Sequence, residues 1–319
     1  TCPNRDGTIA TGGCIYCNAR GSGTGAYARG LSITAQLEQG KAAMARRYGA
    51  RKFIAYFQAF SNTYAPLERL KALYDEALAV EGVVGLFIGT RPDCVPDGTL
   101  DLLAELSGRT HLWLEFGLQS IHDRTLREIG RGHDAAAFRD AVRRAGGGQI
   151  QICVHIIVGL PGETLEGFGR NLDTLVSLTR SEIQIGILKK LSGTSLARHD
   201  EPFGMIYSDI PPYDILQTDR ISYIQIQKMK RFARFWDMYY NSGNFERAVR
   251  LLWDGGNVFE GFYAFSEWIY TQTLSTWKIS LDRQTALLYE YLISMRATEE
   301  VRKALLDLLV KPHGRFVAQ

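Results

Sequence analysis

The alternation of short apolar runs with helical patterns between residues 51 and 190 constrains the fold of this chain more than any other feature. Five runs rich in β-branched and aromatic residues are predicted strands, at 53–59, 83–89, 111–117, 150–159 and 182–188. Several are apolar at consecutive positions, which is typical of parallel strands covered by helices. Helical patterns separate them, at 67–79, 98–106, 123–129, 134–145 and 165–178. This order predicts an α/β fold with a parallel sheet, either doubly wound or curled into a barrel.

Polar, turn-forming segments follow four of the predicted strands at their carboxyl ends. They are FSNT at 60–63, TRPD at 90–93, LQS at 118–120 and LPGE at 160–163. Each one alone is consistent with ordinary turn chemistry. Because the carboxyl edge of a parallel β/α sheet carries the active site, four such segments at one edge favour a shared cleft.

The pattern changes after residue 190. A loop containing Gly and Pro spans 192–212, and helical patterns follow at 222–240, 244–252, 258–273, 281–294 and 298–309. We therefore predict a core domain over 1–190, a linker over 191–221 and a helical C-terminal domain over 222–319. In this last part five aromatic residues recur at helical spacing: Phe232, Phe235, Trp236, Tyr239 and Tyr240. Such a stripe is more often part of a core than a binding platform.

Charge and hydropathy limit the partners of the protein. The 37 basic and 34 acidic residues give a net charge of +3, which is too small for a protein whose main partner is duplex nucleic acid. No apolar run reaches the roughly 18 residues that span a bilayer. The start at Thr1 has neither a signal peptide nor an initiator Met. We therefore expect a cytoplasmic chain, trimmed at its N-terminus, with no membrane partner.

Three of the five cysteines lie in the first seventeen residues. Cys2, Cys14 and Cys17 have the spacing C-x11-C-x2-C, and thiolates are soft ligands that suit zinc or iron–sulfur centres. No fourth Cys or His is near, since the next cysteine is Cys94. Three cysteines on a [4Fe–4S] cluster leave one iron open to a substrate or cofactor. The alternatives are unrelated thiols or a zinc site completed by Cys94 or Cys153.

The chain is similar to a known superfamily at several motifs. TCPNRDGTIATGGCIYCN at 1–18, IGTRPDCVP at 88–96 and VGLPGE at 158–163 resemble radical S-adenosylmethionine (radical SAM) proteins. Residues 1–165 resemble a bacterial branch of uncharacterised function, related to the radical-SAM core of the elongator acetyltransferase subunit. Residues 184–319 resemble the C-terminal region of cobalamin-type radical-SAM proteins. Cobalamin is not predicted, because nothing ahead of Cys2 could bind it.

The resemblance implies a fold, two cofactors and a reaction. The fold is a partial (β/α)6 TIM-like barrel, here with its first strand missing, followed by a C-terminal helical appendage. A [4Fe–4S] cluster on Cys2, Cys14 and Cys17 would bind S-adenosylmethionine (SAM) at its fourth iron. Reductive cleavage of SAM would then give a 5′-deoxyadenosyl radical that abstracts hydrogen from the substrate.

The resemblance also implies which residues contact SAM. Gln58 and Asn62 fall where the family holds the methionine amino group. Arg91 and Asp93 fall where polar side chains meet the carboxylate or the ribose, and an Arg91–Asp93 pair that locks the loop is the alternative for them.

Two further segments complete the implied SAM site. Glu115 and Gln119 flank the FGLQS turn, and a carboxylate inside a mostly apolar strand requires a partner such as a ribose hydroxyl or an arginine. Gly159, Leu160 and Pro161 correspond to the strand end that contacts adenine through backbone and apolar atoms.

Two functions remain open from the sequence. The first is a radical SAM enzyme that receives electrons from a reductant such as flavodoxin or ferredoxin. Its substrate is unknown, with RNA as one candidate by analogy with the elongator relatives. The second is a metal- or cluster-stabilised RNA-binding module without catalysis, which would use the aromatic tail with Lys228, Lys230, Arg231 and Arg234.

Overall fold

The computed structural model describes residues 1–21, 30–146 and 149–295, together with Lys303. The strands are β1 (Phe53–Phe57), β2 (Val83–Thr90), β3 (His111–Gln119), β4 (Gln151–Val158), β5 (Glu182–Ile187), β6 (Ile206–Tyr207) and β7 (Ile215–Gln217). The helices are α1 (Ile33–Tyr48), α2 (Leu67–Leu78), α3 (Asp97–Ser107), α4 (Asp123–Glu128), α5 (Ala135–Ala145), α6 (Leu165–Leu178), α7 (Tyr223–Trp236), α8 (Val258–Thr273) and α9 (Leu281–Met295). The predicted helix at 298–309 lies outside the described residues.

A parallel sheet of five strands, in the order β1-β2-β3-β4-β5, forms the centre of the fold. Each strand pairs with the next along the chain, so that Gly89, Glu115, Cys153 and Glu182 lie side by side across four strands. The outer face packs against helices, with α2 on β2, α3 and α5 on β3, and α7 on β5. The sheet curls into a half-barrel, and the predicted partial TIM-like barrel is confirmed.

The two faces of the sheet differ in chemistry. On β3 the outward residues Leu112, Leu114 and Phe116 are almost fully buried beneath helices. The alternate positions face the concave side, and among them Glu115 and Gly117 are only partly buried. Since successive side chains of a strand point to opposite faces, the concave face receives small and polar residues while the helices cover the apolar ones.

Most predicted elements are present with boundaries within two residues of the prediction. The exceptions are α1, which the sequence did not predict, and the two-stranded sheet of β6 and β7, which forms within the predicted linker. In addition, α7 ends at Trp236, four residues before the predicted end, and a π-helical turn over Asp237–Asn241 follows it. The helix predicted at 244–252 is wrong in type, because only a 3-10 turn over Ala248–Leu252 forms there. Helix α1 has no buried residue, so it lacks the apolar stripe on which the prediction of helices depended.

The C-terminal helices share their apolar core with the barrel. Helix α8 packs against α6 and α7, and a single cluster of buried apolar residues extends from Ile15 to Leu292. Four of the five aromatic residues in the predicted stripe are fully buried, and the partly buried Tyr240 stacks on Trp236, so the prediction of a core is confirmed for these four. The predicted domain boundaries stay a prediction.

The edge of strand β5 is closed by a side chain. Asn241 accepts a hydrogen bond from the Ile183 N–H at 3.0 Å and donates one to the Ile183 carbonyl at 2.9 Å. This amide therefore pairs with β5 as a neighbouring strand would, which satisfies backbone groups that an edge strand exposes.

None of the described helices combines the length and apolar character that crossing a membrane requires. The cytoplasmic location stays a prediction.

A buried carboxylate connects the ends of β3 and β4 to α6. Glu163 is 3% exposed, and its Oε1 accepts hydrogen bonds from Ser120 Oγ at 2.7 Å and Asn171 Nδ2 at 2.9 Å. Burial raises the pKa of Glu163 to about 7, although the two hydrogen bonds act in the opposite direction. Glu163 is thus a packed polar group rather than the helix-terminal charge that its position before α6 suggests.

We expect Glu163→Gln to make the protein more stable at pH 8. The folded state holds the proton of Glu163 up to a pKa of about 7, and the unfolded chain loses it near the ordinary pKa of 4.5. The free energy of unfolding therefore falls as pH rises between these values, by on the order of 3 kcal/mol. Urea unfolding of both proteins at pH 5 and pH 8 measures this, and an equal pH dependence in the two would refute it.

Candidate functional site

A cavity of about 360 Å³ opens at the carboxyl ends of the parallel strands, where the sequence predicted a shared cleft. Cys2, Cys14 and Cys17 line one side of it. Of the other predicted site residues, five also line the cavity: Gln58, Asn62, Arg91, Glu115 and Gln119. The fold thus brings residues from four separate parts of the chain to one site.

The cysteine loop is held by its own backbone and by α4. The Cys17 N–H donates to the Cys14 carbonyl at 2.9 Å, which places both cysteines on one turn. The Ile15 N–H donates to the Ile129 carbonyl just after α4. Cys2 and Cys14 are buried, at 9% and 5% exposed, and all three thiols are free.

Two side chains donate hydrogen bonds to the sulfur of Cys14. Arg131 Nη1 lies 3.5 Å from Cys14 Sγ, and Asn4 Nδ2 lies 3.6 Å from it. Asn4 also donates to the carbonyls of Gly130 and Arg131 at 2.7 and 3.0 Å. Donors of this kind favour the thiolate over the thiol, and the thiolate is the form that binds a metal.

Sequence reasoning missed Arg131, which is 8% exposed. Its Nε and Nη2 both donate to the Gly117 carbonyl on β3. A Cβ on Gly117 would lie 2.8 Å from Arg131 Nη2, so a glycine there allows the guanidinium to approach. Gly130 and Gly132, with φ of 64° and 74°, flank the arginine. This Gly-Arg-Gly sequence directly after a helix was the available signal.

The arginines determine the charge state of the groups around them. Burial alone would raise the pKa of Cys14, but the charge and hydrogen bond of Arg131, with the charge of Arg91, hold this pKa below its ordinary value. Burial and the charge of Arg131 lower the pKa of His155 to about 4. His155, which lines the cavity from β4, is therefore neutral near pH 7.

Arg91 and Asp93 form a two-pronged ion pair in the loop after β2. Arg91 Nε and Nη2 donate to the two carboxylate oxygens of Asp93 at 2.9 and 2.7 Å. Arg91 is 2% exposed and lines the cavity, and its buried Nη1 has no hydrogen-bond partner within the described structure. Asp93 does not line the cavity. The geometry favours the loop-lock alternative for Asp93 and leaves one Arg91 donor free.

Strained backbone surrounds the predicted SAM residues. Ala59, Phe60 and Gln119 have φ of 75°, 67° and 80°, in the left-handed region that side chains rarely adopt. Gln119 is 5% exposed, and its buried Oε1 has no partner among the described residues. Asn62 donates to the Phe57 and Gly89 carbonyls, each at 2.9 Å, so its amide nitrogen holds the end of β1 against β2.

Glu115 faces the concave side with a phenol as its partner. Tyr56 donates to Glu115 Oε2 at 2.6 Å, and Tyr56 is 47% exposed toward the open side of the half-barrel. Burial raises the pKa of Glu115, although the hydrogen bond from Tyr56 acts against it. Sequence reasoning predicted that this carboxylate needs a partner but did not identify Tyr56.

Gly159, Leu160 and Pro161 do not line the cavity in the structure. Leu160 is fully buried, and a Cβ on Gly159, whose φ is 88°, would lie 2.7 Å from Ile215 Cγ2. This glycine therefore allows β7 to pack against the end of β4. The adenine contact of these three residues stays a prediction.

The other two cysteines lie outside the cavity. Burial raises the pKa of Cys94 to about 12, and Cys153 is fully buried within β4. No three Cys, His, Asp or Glu side chains converge on a single-ion position in the part of the chain that the structure describes. The zinc alternative, which needed Cys94 or Cys153 as its fourth ligand, has no support from this geometry.

The residues present do fit a [4Fe–4S] cluster and SAM. In a cubane cluster each cysteine binds a different iron, so three ligand cysteines surround a space instead of converging on one point. Here the three cysteines line one cavity, with two donors on Cys14 Sγ. Arg91 Nη1 and Gln119 Oε1 are buried polar atoms whose partners a charged, polar cofactor would supply.

Comparison with protein families agrees with this arrangement. Residues 6–175 match the profile of the Radical SAM superfamily, which is more than half of the chain. The chain belongs to the radical SAM superfamily. Residues 201–313 match a second profile, described as "Protein of unknown function (DUF4080)". Radical SAM proteins are enzymes that use a [4Fe–4S] cluster and SAM, so the predicted enzyme class and both cofactors are confirmed at the level of the family.

Individual relatives cover the chain only in part. YtqA of Bacillus subtilis is 40% identical over 223 residues, 70% of this chain and 69% of YtqA. YhcC of Escherichia coli K12 is 40% identical, and the chain covers 63% of its length. A tRNA-2-methylthio-N(6)-dimethylallyladenosine synthase of Bifidobacterium longum is 32% identical over 44% of the chain and 28% of that enzyme. The solved cobalamin-dependent radical enzyme OxsB aligns with 93% of the chain and 57% of its own, at 13% identity and a TM-score of 0.47.

Proposed function

We propose that Cys2, Cys14 and Cys17 hold a [4Fe–4S] cluster in the cavity, and that the chain uses it to cleave SAM and start radical chemistry on a substrate. The observation that carries the proposal is the set of three free cysteines in one cavity, on which no fourth ligand converges from the described residues. When bound, the cluster and SAM supply a one-electron cleavage that yields methionine and a 5′-deoxyadenosyl radical, which abstracts hydrogen from the substrate.

The chain's own residues would bind and orient SAM. Arg91 Nη1 is a buried donor without a partner among the described residues, and it suits the methionine carboxylate. Gln119 Oε1 is a buried acceptor, likewise without a partner in that part of the chain, and it suits an amino or hydroxyl group. Gln58 and Asn62 line the same wall after β1, and Glu115 with Tyr56 can accept from a ribose hydroxyl. The ion pair with Asp93 fixes Arg91 before SAM arrives, which lowers the entropic cost of binding.

Two partners follow from this chemistry. A low-potential reductant of the flavodoxin or ferredoxin class would supply the electron. For the substrate we propose RNA, since the matched relatives include a tRNA-modifying synthase, although over only 44% of this chain. The concave face, which presents Tyr56 and His155 next to the proposed SAM site, is where such a substrate would bind.

The competing RNA-binding module has less support. Of the four cations, Lys228 and Arg231 share Glu267 and Lys230 pairs with Asp214, so these two carboxylates offset about half of the positive charge. Four of the five aromatic residues in the predicted stripe are fully buried and cannot stack on bases, and Tyr240 already stacks on Trp236.

Production of 5′-deoxyadenosine tests the proposed reaction. The chain is reconstituted anaerobically with iron and sulfide, reduced with dithionite and given SAM, and the product is measured by chromatography. We expect 5′-deoxyadenosine from the wild-type chain and none from Cys17→Ala. A reconstituted cluster without SAM cleavage in the wild-type chain would contradict the proposal.

Addition of bulk tRNA to the same assay tests the proposed substrate. We expect 5′-deoxyadenosine to form faster with tRNA, together with a nucleoside of changed mass after digestion of the RNA. Cleavage of SAM that tRNA neither accelerates nor couples to a changed nucleoside would refute RNA as the substrate while leaving the enzyme class intact.

A further inference from the structure

Arg131 carries a buried charge that no carboxylate contacts in the part of the chain that the structure describes. Its hydrogen bonds go to one neutral carbonyl, that of Gly117, and to one sulfur, that of Cys14 at 3.5 Å. A buried guanidinium is costly without a negative partner. Among the described residues that accept hydrogen bonds from Arg131, Cys14 is the one that can become negative, and the charge of Asp93 acts on Arg131 without a hydrogen bond.

The charged side chains around the cysteines also carry a net positive charge. Arg5 donates to the Cys17 and Asn18 carbonyls at 2.7 Å, Arg91 lines the cavity, and Arg131 contacts Cys14. Asp93, paired with Arg91, is the one acidic side chain that bonds to these three arginines in the described structure. Three positive charges and one negative charge leave an excess of about two positive charges, before any anionic ligand is bound.

This excess of positive charge suits a cluster that becomes more negative when it accepts an electron. A [4Fe–4S] core of charge 2+ with three thiolates has a net charge of 1−, and its one-electron reduction gives 2−. The added electron is delocalised onto the cluster and its sulfur ligands, and charge interactions in a buried site are much stronger than in water. Hydrogen bonds to the cluster's sulfur ligands and nearby charge are the means by which proteins adjust the potential of such clusters.

We propose that Arg131 is a positioning residue that raises the reduction potential of the cluster, through its charge and its hydrogen bond to Cys14 Sγ. The effect makes the oxidised cluster easier to reduce by an external low-potential reductant of the flavodoxin class. The inference rests on the proposed function, because it requires the cluster to be held by Cys14.

The test is the midpoint potential of the reconstituted cluster, followed by EPR during an anaerobic redox titration. We expect Arg131→Met to decrease the ratio of reduced to oxidised cluster at least tenfold at a fixed potential, which is a shift of about 59 mV to more negative values for one electron. Arg131→Lys keeps the positive charge but loses the planar guanidinium, so we expect its midpoint potential to shift less than that of Arg131→Met. Arg131→Gln keeps donors without the charge, and it should shift nearly as far as Arg131→Met.

Arg144→Met serves as the matched control. Arg144 is also partly buried and pairs with Asp97 and Asp140, but it does not line the cavity. Its variant should keep the wild-type potential. An unchanged potential in Arg131→Met, or an equal shift in Arg144→Met, would overturn the proposal. Loss of the cluster from all three Arg131 variants would assign Arg131 to cluster assembly and overturn it as well. Failure of the wild-type chain to form a cluster would instead be a failure of the proposed function.

Discussion

Cys14→Ala is expected to abolish assembly of the cluster and to reduce formation of 5′-deoxyadenosine to background. Cys14 is the cysteine whose sulfur accepts hydrogen bonds from both Arg131 and Asn4. Removing it takes away one of the three proposed protein ligands and leaves the Arg131 charge without the sulfur that it contacts. Iron and sulfide content per chain, measured after reconstitution, should fall well below four of each.

The matched control is Cys94→Ala. Cys94 is also buried, at 4% exposed, but lies outside the cavity in the 3-10 turn after β2. This variant should keep four irons, four sulfides and SAM cleavage. Retention of the full cluster in Cys14→Ala, or its loss in Cys94→Ala alone, would contradict the assignment of ligands.

Trp236→Ala is expected to destabilise the whole described chain by about 3–5 kcal/mol, the usual cost of removing a large buried aromatic side chain. Trp236 is fully buried at the end of α7. Its ring stacks on Tyr240 with 4.2 Å between centroids and meets the edge of Phe262 at 4.9 Å. Because α7 packs on β5 and shares the barrel's apolar core, we expect barrel and tail to unfold in one transition.

Urea unfolding followed by circular dichroism measures this loss, and Trp277→Ala is the control. Trp277 is 67% exposed and contacts Arg234 through a cation–π interaction at 4.6 Å. Its removal should cost less than about 1 kcal/mol. We would conclude that the C-terminal helices do not stabilise the barrel if the free energy of unfolding fell equally in the two variants. A second unfolding transition, with the barrel still folded after the first, would show the same.

Local sequence patterns were sufficient to predict a parallel β/α sheet, and the resemblance to radical SAM proteins decided for a partial barrel over a doubly wound sheet. Strands β2 and β4 carry long apolar runs, and α6 and α8 begin at N-caps, Thr164 and Asn257, whose side chains accept backbone hydrogen bonds. Helix α1 has an N-cap of the same kind in Ser32 but has no fully buried residue, and the apolar pattern gave no sign of it. The antiparallel pairing of β6 with β7 depends on how the segment between them folds in three dimensions, and local residue patterns do not encode that path.

The candidate site was predictable where it depends on spacing along the chain. The C-x11-C-x2-C pattern identifies the three cysteines that the fold brings to one cavity. Arg131 could not be found in this way, because its contact with Cys14 joins residues 117 positions apart. Tyr56 and Glu115, 59 positions apart, meet for the same reason, through the register of β1, β2 and β3.

The central claim is that a cluster on Cys2, Cys14 and Cys17 leaves one iron open for SAM. The most direct measurement is the EPR spectrum of the reconstituted, dithionite-reduced chain, recorded before and after addition of SAM. We expect a reduced [4Fe–4S] signal whose g-values change when SAM binds the open iron. A spectrum that SAM leaves unchanged, or a chain that takes up a single zinc ion in place of iron and sulfide, would contradict the claim.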